Sequence, residues 1–444
     1  MTKPLASLCC RSLRARRTGA AVLFALLLAL PPCRAADEAL GLVVRAMRAK
    51  CSQTYEARQV ILWVLPAEQG GGAIQIVTQT TRAGMRSRTA YLFPPDAAGR
   101  VMADDGLQTL LYEPQKHLLL ASPSVAREMA ADSRAMSTLL RRNYQAQIAR
   151  HERINGCLCA VVLLRRRGQD GPYKVLWIDQ AHPFVLRQEE HDADGACRYV
   201  SSYDSITFCK HLPDEALRLP PDAAFAARRA LQEAPLDPAP SHVIQALTAA
   251  GVPGARLPAW TPSGYALLRV ARVTLPGGGL PMAQLRYSDG LRTLTVLEGA
   301  ANTPLPPPVL LSRALARYGQ QAWVQDAGGQ RTLVRSELSG PPEAGQEMLA
   351  ALLPQTEARL LRGLAQDFGA AAPKQAAALR RDGWDWAQVT ALAIYGQAHP
   401  QSHASVRAML GRRQGWPAIA RRLRADMGTL DAQARAWIGA ACKR

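Results

Sequence analysis

The chain has 444 residues and a formal net charge of +19. Setting aside an N-terminal segment of 36 residues leaves about 408, enough for two or three domains. No stretch in that remainder is apolar for long enough to span a bilayer, which excludes an integral protein with several membrane helices.

Residues 1–36 have the composition of a Sec signal peptide. They hold six basic and no acidic residues, and the apolar run from Ala20 to Leu30 is too short to span a membrane. The small residues of Arg34-Ala35-Ala36 form a cleavage site. We therefore expect export to the periplasm, with an uncleaved anchor or lipidation at Cys33 as the alternative.

Residues 37–209 predict one domain that begins with a helix and continues as strands. Leu40, Val43, Val44 and Met47 repeat at helical spacing, and a polar helix is predicted over Val125 to Tyr144. Strands are predicted where β-branched and aromatic residues are enriched. They cover Glu56 to Leu65, Ala73 to Thr81, Arg86 to Phe93, Leu107 to Glu113, His117 to Ala121, Gln145 to Arg153 and Cys157 to Arg166.

The stretch from Tyr173 to Gly195 carries a strand, a turn, a second strand and another turn. A Val-Leu-Trp-Ile run at 175–178 suits a half-buried pleated surface. Pro183 ends this strand because it has no N–H to donate. The second strand covers Phe184 to Glu190, and the Asp-Ala-Asp-Gly turn at 192–195 leads to a last strand over 196–208.

Residues 210–258 are rich in proline and predict a stiff linker with short helices near Ala223 to Gln232 and His242 to Ala249. A second β domain is predicted over residues 259–353. There, Pro262-Ser263-Gly264-Tyr265 precedes a strand over Ala266 to Leu275. A hairpin follows, with its turn at Ser288-Asp289-Gly290 and its strands over Ala283 to Tyr287 and Leu291 to Leu297.

Residues 355–444 are rich in Ala, Arg and Leu and predict a bundle of four or five short helices. The Gly-Trp pairs Gly383-Trp384 and Gly415-Trp416 each open one of them. This segment holds fourteen basic and six acidic residues. Its charge favours an anionic membrane surface or an acidic partner, a solvated Arg-rich surface is the other interpretation, and export argues against nucleic acid.

The chain resembles the periplasmic regulators of the MucB/RseB family, which join an open LolA-like half-barrel to a smaller β domain. The resemblance covers residues 37–353 and lies in short phrases that occur in the family order. These phrases are Leu111-Tyr112-Glu113-Pro114, Arg142-Asn143-Tyr144, Ile154-Asn155-Gly156, Leu176-Trp177-Ile178-Asp179, the Pro-x-Gly-Tyr sequence at 262–265 and Tyr287-Ser288-Asp289-Gly290-Leu291. The expected fold class is α+β: a curved antiparallel half-barrel with capping helices, a second antiparallel β domain and an all-α module at the C-terminal end.

The resemblance implies a non-enzymatic regulator. Such a protein binds the periplasmic segment of an anti-sigma factor, keeps an envelope-stress sigma factor inactive and senses lipid or lipoprotein acyl chains in an apolar cavity. Strand phase places six candidate side chains in that cavity: Trp63, Ile74, Ile76, Tyr91, Phe93 and Trp177. Ordinary core packing is the other interpretation of each. The alternative functions are a lipid or lipoprotein carrier and a structural envelope protein.

Sequence motifs for catalysis or cofactor binding are absent, so no cofactor and no catalytic residue is expected. His399 and His403 have the spacing of metal ligands, but Pro400 between them favours a helix boundary, and no metal is predicted. His191 with Asp192 and Asp194 is interpreted as a hairpin turn rather than an acid–base cluster. Cys157 and Cys159 share one face of a strand, so a disulfide between them is not expected.

Overall fold

A computed structural model describes most of the chain and confirms the predicted α+β class, with two antiparallel sheets followed by helices. The predicted signal peptide lies almost wholly outside the described residues. The described residues are 32–64, 71–167, 173–237, 242–275, 279–300, 322–327, 330–336, 342–352, 354–381, 384, 386–411 and 416–443.

The first sheet has twelve strands in an open order that runs β12-β6-β5-β4-β3-β2-β1-β11-β10-β9-β8-β7, with no closure between its two ends in the described part of the chain. The pairs are antiparallel apart from β12 with β6. The strands are β1 Thr54–Val64, β2 Ala73–Ala83, β3 Arg86–Phe93, β4 Val101–Asp104, β5 Gln108–Glu113, β6 Leu118–Pro123, β7 Tyr144–Ile154, β8 Cys157–Arg166, β9 Tyr173–Asp179, β10 Phe184–His191, β11 Cys197–Phe208 and β12 Ala227–Ala230.

Two helices accompany this sheet, α1 Pro32–Ala49 and α2 Val125–Asn143. The α2 helix begins after Ser124, whose hydroxyl accepts the backbone N–H of Arg127 and so caps the helix. Alternate residues of β8 enter two different apolar clusters. Val162 packs with α1 and α2, whereas Val161 packs with Tyr55 of β1. This part of the sheet is therefore covered on both faces, which explains its continuous apolar sequence.

The second sheet has six strands in the order β13-β14-β15-β16-β18-β17. Its strands are β13 Gln232–Leu236, β14 Ala266–Thr274, β15 Met282–Ser288, β16 Thr293–Ala300, β17 Ala322–Ala327 and β18 Gln330–Ser336. Helix α3, Val243–Ala249, packs its Val243 and Leu247 side chains into the core of this sheet, as does Met348 of helix α4, Pro342–Ala351.

The proline-rich segment departs from the prediction in one respect. The helix expected near Ala223 to Gln232 is wrong: a short 3₁₀ turn ends at Phe225, and β12 and β13 follow. The segment therefore adds one strand to each sheet. The helix predicted near His242 is confirmed as α3. The domain boundaries at 209, 258 and 353 stay a prediction.

The C-terminal region is helical, as predicted, but its described part contains six α-helices rather than four or five. They are α5 Pro354–Phe368, α6 Ala372–Arg381, α7 Trp386–Ala398, α8 His403–Gly411, α9 Trp416–Arg422 and α10 Met427–Lys443. Helix α7 begins two residues after Trp384, and α9 begins at Trp416, so both start close to the positions that the Gly-Trp pairs predicted. Gly383 and Gly415 lie outside the described residues. A 3₁₀ turn over Pro400–Ser402 separates His399 from α8, as the proline indicated.

Candidate functional site: the junction between the two sheets

The two sheets meet where α2 ends and β7 begins. The Asn143 amide donates hydrogen bonds of 2.8 Å to the carbonyl oxygens of Gly264 and Asp289. The next residue, Tyr144, donates its hydroxyl proton to Asp289 Oδ2 at 2.6 Å. Two consecutive residues, the last of α2 and the first of β7, therefore hold two separate loops of the second sheet, across more than 120 positions of sequence.

Asp289 is held in place by its own turn. Its Oδ1 accepts the backbone N–H groups of Leu291 and Arg292 at 3.0 and 2.8 Å, which closes the hairpin between β15 and β16. Gly290 has a φ of +103°, and a Cβ at that position would lie 2.3 Å from the backbone nitrogen of Leu140 in α2. The loop can approach the helix this closely only because the residue is glycine.

Gly264 contacts the first sheet in the same manner, with a φ of +75°. A Cβ there would lie 2.6 Å from an Arg166 guanidinium nitrogen and 3.0 Å from the Asn143 side chain. The same guanidinium donates to the Ser263 carbonyl and lies 3.7 Å from Asp289. Arg166, at the end of β8, thus contacts both loops of the second sheet.

Buried charges extend the junction along α2. The carboxylates of Glu128 and Asp132, one helical turn apart, face the guanidinium groups of Arg269 on β14 and Arg286 on β15. The four N–O distances run from 3.1 to 3.6 Å. Since all four side chains are mostly withdrawn from water, each charge depends on the others for compensation.

Burial and a neighbouring carboxylate favour the protonated form of Tyr144. Burial, and next the nearby Asp289 carboxylate, raise the pKa of Tyr144 well above its usual range. Tyrosine is protonated at physiological pH in any case, and the raised pKa keeps this phenol a hydrogen-bond donor into the alkaline range. Beside it, Glu190 pairs with Lys174 and lies 3.9 Å from the guanidinium of Arg292, so another ion pair crosses the junction.

Four of the six predicted cavity residues lie together. Trp63, Ile76 and Tyr91 are buried in one cluster, with Ile74 packed against them. Tyr199 of β11 completes the group, its ring centroid 5.3 Å from that of Trp63 in an edge-to-face arrangement. The described side chains here pack against one another, and their assignment to a lipid cavity stays a prediction.

The other two predicted residues lie elsewhere. Phe93 is 41% exposed at the end of β3. Trp177 is buried in a different cluster with Tyr55 and Phe184, and its indole N–H donates to Glu152 at 3.0 Å. The alternation of side chains along a strand could not predict that Phe93 and Trp177 lie apart from the other four residues. Bulges change the register of β2 with β3 and of β9 with β10.

Asn143, Tyr144, Gly264 and Asp289 were present in the sequence only within phrases of a family resemblance, and the charged residues of the junction, Arg166, Glu128, Asp132, Arg269 and Arg286, were not singled out at all. Three of those phrases, those at 142–144, 262–265 and 287–291, meet at this one place. Their role was not readable from spacing or composition, since the contacts join positions more than 120 residues apart. The signal that pointed to them was their order along the chain.

Six cysteines, Cys51, Cys157, Cys159, Cys197, Cys209 and Cys442, are free thiols. Among the described residues, no helix has both the length and the apolar character to cross a bilayer.

Comparison with known proteins gives similar structures but no match by sequence. No family model matches the chain, nor does any curated protein. The MucA/MucB complex of Pseudomonas aeruginosa is 15% identical, covering 70% of this chain and 96% of that one, with a TM-score of 0.45. A crystal structure of MucB is 13% identical, covering 71% and 97%, with a TM-score of 0.41. A LolA superfamily protein from Nitrosomonas europaea is 15% identical over 40% of this chain and 96% of its own, with a TM-score of 0.21.

Proposed function

We propose that this chain is a periplasmic, non-enzymatic regulator that binds the periplasmic segment of an anti-sigma factor and so keeps an envelope-stress sigma factor inactive. The proposal combines the family resemblance of residues 37–353 with the geometry of the junction. In this proposal the partner contacts a surface that the two β domains form together, rather than a surface of either domain alone.

The observation that carries the proposal is the convergence of three family phrases on the inter-sheet junction. Hydrogen bonds from Asn143 and Tyr144 and the close approach of Gly290 to α2 hold the sheets in one relative orientation. A partner that spans both sheets then binds a preformed surface and does not bear the cost of ordering two loose domains.

The test is binding of the full chain to the periplasmic segment of a single-span anti-sigma factor encoded next to it, measured by calorimetry. Gly290→Ala introduces a Cβ that collides with Leu140 of α2 and should weaken binding by about tenfold or more, equivalent to at least about 1.4 kcal/mol.

Gly195→Ala is the matched control. Gly195 also has a positive φ, +84°, but a Cβ there meets no atom within 4 Å, so this change adds backbone strain without touching the junction. Circular dichroism checks that both variants fold. Equal affinities for the two variants, or no binding by the unmodified chain, would contradict the proposal.

The lipid part of the proposal concerns the cluster around Trp63. Acyl chains gain about 0.8 kcal/mol for each CH₂ group removed from water, so an aromatic and aliphatic cluster in an open sheet is a suitable receptor if it opens. Uptake of a fluorescent fatty acid by the full chain, and its loss on Trp63→Ala, would support lipid sensing. If the unmodified chain takes up no probe, the cluster is core only, and anti-sigma binding is unaffected.

The carrier function is the second candidate, and the same probe separates it from the regulator. A carrier would transfer its lipid to acceptor vesicles and would show no affinity for the anti-sigma segment. A regulator would bind that segment and release it when lipid is added, because the two ligands would then be linked reciprocally.

A further inference from the structure

Three side chains of different chemistry meet at the hairpin between β10 and β11. They are Glu189 and His191 on β10 and Cys197 at the start of β11, and their carboxylate, imidazole and thiol atoms all lie within 4.8 Å of one another. We propose that these three residues form a binding site for a divalent transition metal, with zinc as the best fit.

The hairpin itself brings the three residues together. Glu189 and His191 are two positions apart on one strand and so project from the same face. Cys197 is the direct cross-strand partner of His191. A register shift between Glu190 and His191 adds to the local twist at this end of the pair. The donor set therefore follows from backbone pairing rather than from a chance approach of long side chains.

The imidazole of His191 is oriented as metal-binding histidines are. Its Nδ1 lies 3.1 Å from the Gly195 carbonyl oxygen, and its ring stacks on Tyr173 with centroids 4.6 Å apart and planes 2° from parallel. Because a carbonyl oxygen only accepts, Nδ1 must carry the proton. A backbone carbonyl in this position sets the tautomer that leaves Nε2 free to bind a metal.

The opposite side of the ring then needs a cation. Nε2 of His191 faces Glu189 Oε2 at 3.0 Å, so a neutral imidazole would set its lone pair against a carboxylate oxygen. Either a second proton on the ring or a metal ion between the two atoms removes this repulsion. The thiol of Cys197 beside them favours the metal, since a Cys, His and carboxylate set is a donor combination that zinc accepts.

The remaining groups around the cluster support the donors. Arg187 donates its Nε–H to Glu189 Oε1 at 3.0 Å, which orients the carboxylate and leaves Oε2 for the site. The Cys197 thiol donates to the Tyr199 carbonyl. Burial, and then the Glu189 carboxylate, raise the pKa of Cys197, so metal binding must displace its proton. The Glu189 and His191 side chains are 16% and 14% exposed, which leaves an access route for the ion.

The experiment uses the full chain, stripped with a chelator and then titrated with Zn²⁺ by calorimetry and with Co²⁺ by absorption spectroscopy. We expect one equivalent of either ion and, for cobalt, a thiolate-to-cobalt charge-transfer band. His191→Gln and Cys197→Ser should each weaken Zn²⁺ binding by at least about tenfold, and Cys197→Ser should abolish the band.

His182→Gln and Cys209→Ser are the matched controls. His182 also contacts a carboxylate, that of Asp179, at 3.2 Å, but no thiol completes its surroundings in the described structure. Both controls should bind as the unmodified chain does. Absence of binding by the unmodified chain, or unchanged binding and an unchanged band in His191→Gln and Cys197→Ser, would overturn the site and leave an imidazolium–carboxylate pair. Even if a variant fails to fold, the charge-transfer band of the unmodified chain shows whether a thiolate binds the cobalt ion.

Discussion

The second β domain meets its two neighbours through contacts of opposite character. Toward the first sheet the contact is polar and charged, as the pairs of Asn143 and Tyr144 with Asp289 show. Toward the helices an apolar cluster holds Ala259 and Trp260 together with Leu360 and Trp386, beside a 2.7 Å hydrogen bond from Arg435 to the Thr261 carbonyl. One backbone hydrogen bond of 2.8 Å, from the Trp386 N–H to the Ala259 carbonyl, fastens this second contact.

The difference shows how one domain can be held in two ways. Hydrogen bonds and ion pairs depend on distance and angle, so the polar junction determines how the two sheets are oriented. Apolar burial is non-directional and follows area, so the Trp260 cluster contributes stability, and the directional part of this contact is the hydrogen bond between Trp386 and Ala259.

The largest effect is expected at the apolar contact. Trp260→Ala removes a buried indole from the cluster shared with the helices and should lower the free energy of unfolding by about 3–5 kcal/mol. Denaturant unfolding monitored by circular dichroism measures it. Phe225→Ala, at an 87% exposed side chain, is the control and should change stability by less than about 0.5 kcal/mol. Similar changes for both variants would show that Trp260 does not hold the helices.

The charged part of the polar junction comes next. Glu128→Gln leaves the guanidinium groups of Arg269 and Arg286 short of one negative charge in a mostly buried setting, which should cost about 3 kcal/mol. Asp204→Asn is the control, because its pair with Arg58 is half-exposed and contributes roughly 0–1 kcal/mol. If the two changes in unfolding free energy were equal, the quartet would be no more than a surface ion pair.

A single hydrogen bond tests the directional character of the junction. Tyr144→Phe removes one donor to the Asp289 carboxylate and should cost about 1.5–3 kcal/mol, the range for hydrogen bonds to charged groups. Tyr395→Phe is the control, since its hydroxyl donates over 3.5 Å to the neutral carbonyl of Leu423. A larger loss of stability in the control would argue against a charge-assisted junction.

Tyr144 should also make folding stability depend on pH in the alkaline range. Since the pKa of Tyr144 is raised in the folded state, the unfolded chain releases this proton first, and folding stability falls as the pH rises above about 10. Tyr144→Phe lacks this contribution, so its loss of stability between about pH 9 and pH 11 should be smaller than that of the unmodified chain. Equal slopes in the two proteins would show that Tyr144 does not contribute.

The smallest effect is expected from the exposed charge of the helices. Binding of the full chain to anionic vesicles should weaken as salt rises, because exposed charges are screened within about 8 Å at physiological ionic strength. Replacing Arg422 and Arg424 with glutamine should reduce binding at low salt, whereas Arg58→Gln with Arg86→Gln, in the first sheet, should leave it unchanged. An equal reduction in both double variants would mean that vesicle binding depends on the net charge of the protein and not on where the charge lies.

Local patterns in the sequence determined most of the elements of the first sheet. The apolar run at 175–178, the proline at 183 and the turn at 192–195 correspond to β9, the loop before β10 and the turn before β11. These features depend on residues within a few positions of one another, since β propensity and turn chemistry act over that range. The helical character of the C-terminal region was readable for the same reason.

Only the tertiary structure decided what happens in the proline-rich segment and at the junction. Ala227–Ala230 has a helix-favouring Ala-Arg composition, yet it is a strand because the edge of β6 offers its backbone a set of hydrogen-bond partners. Pro235 is tolerated in β13 because that strand lies at the edge of the second sheet and pairs only with β14. Glycine at 290 is required by a helix 150 positions earlier, at Leu140, and no local pattern specifies contacts between such distant residues.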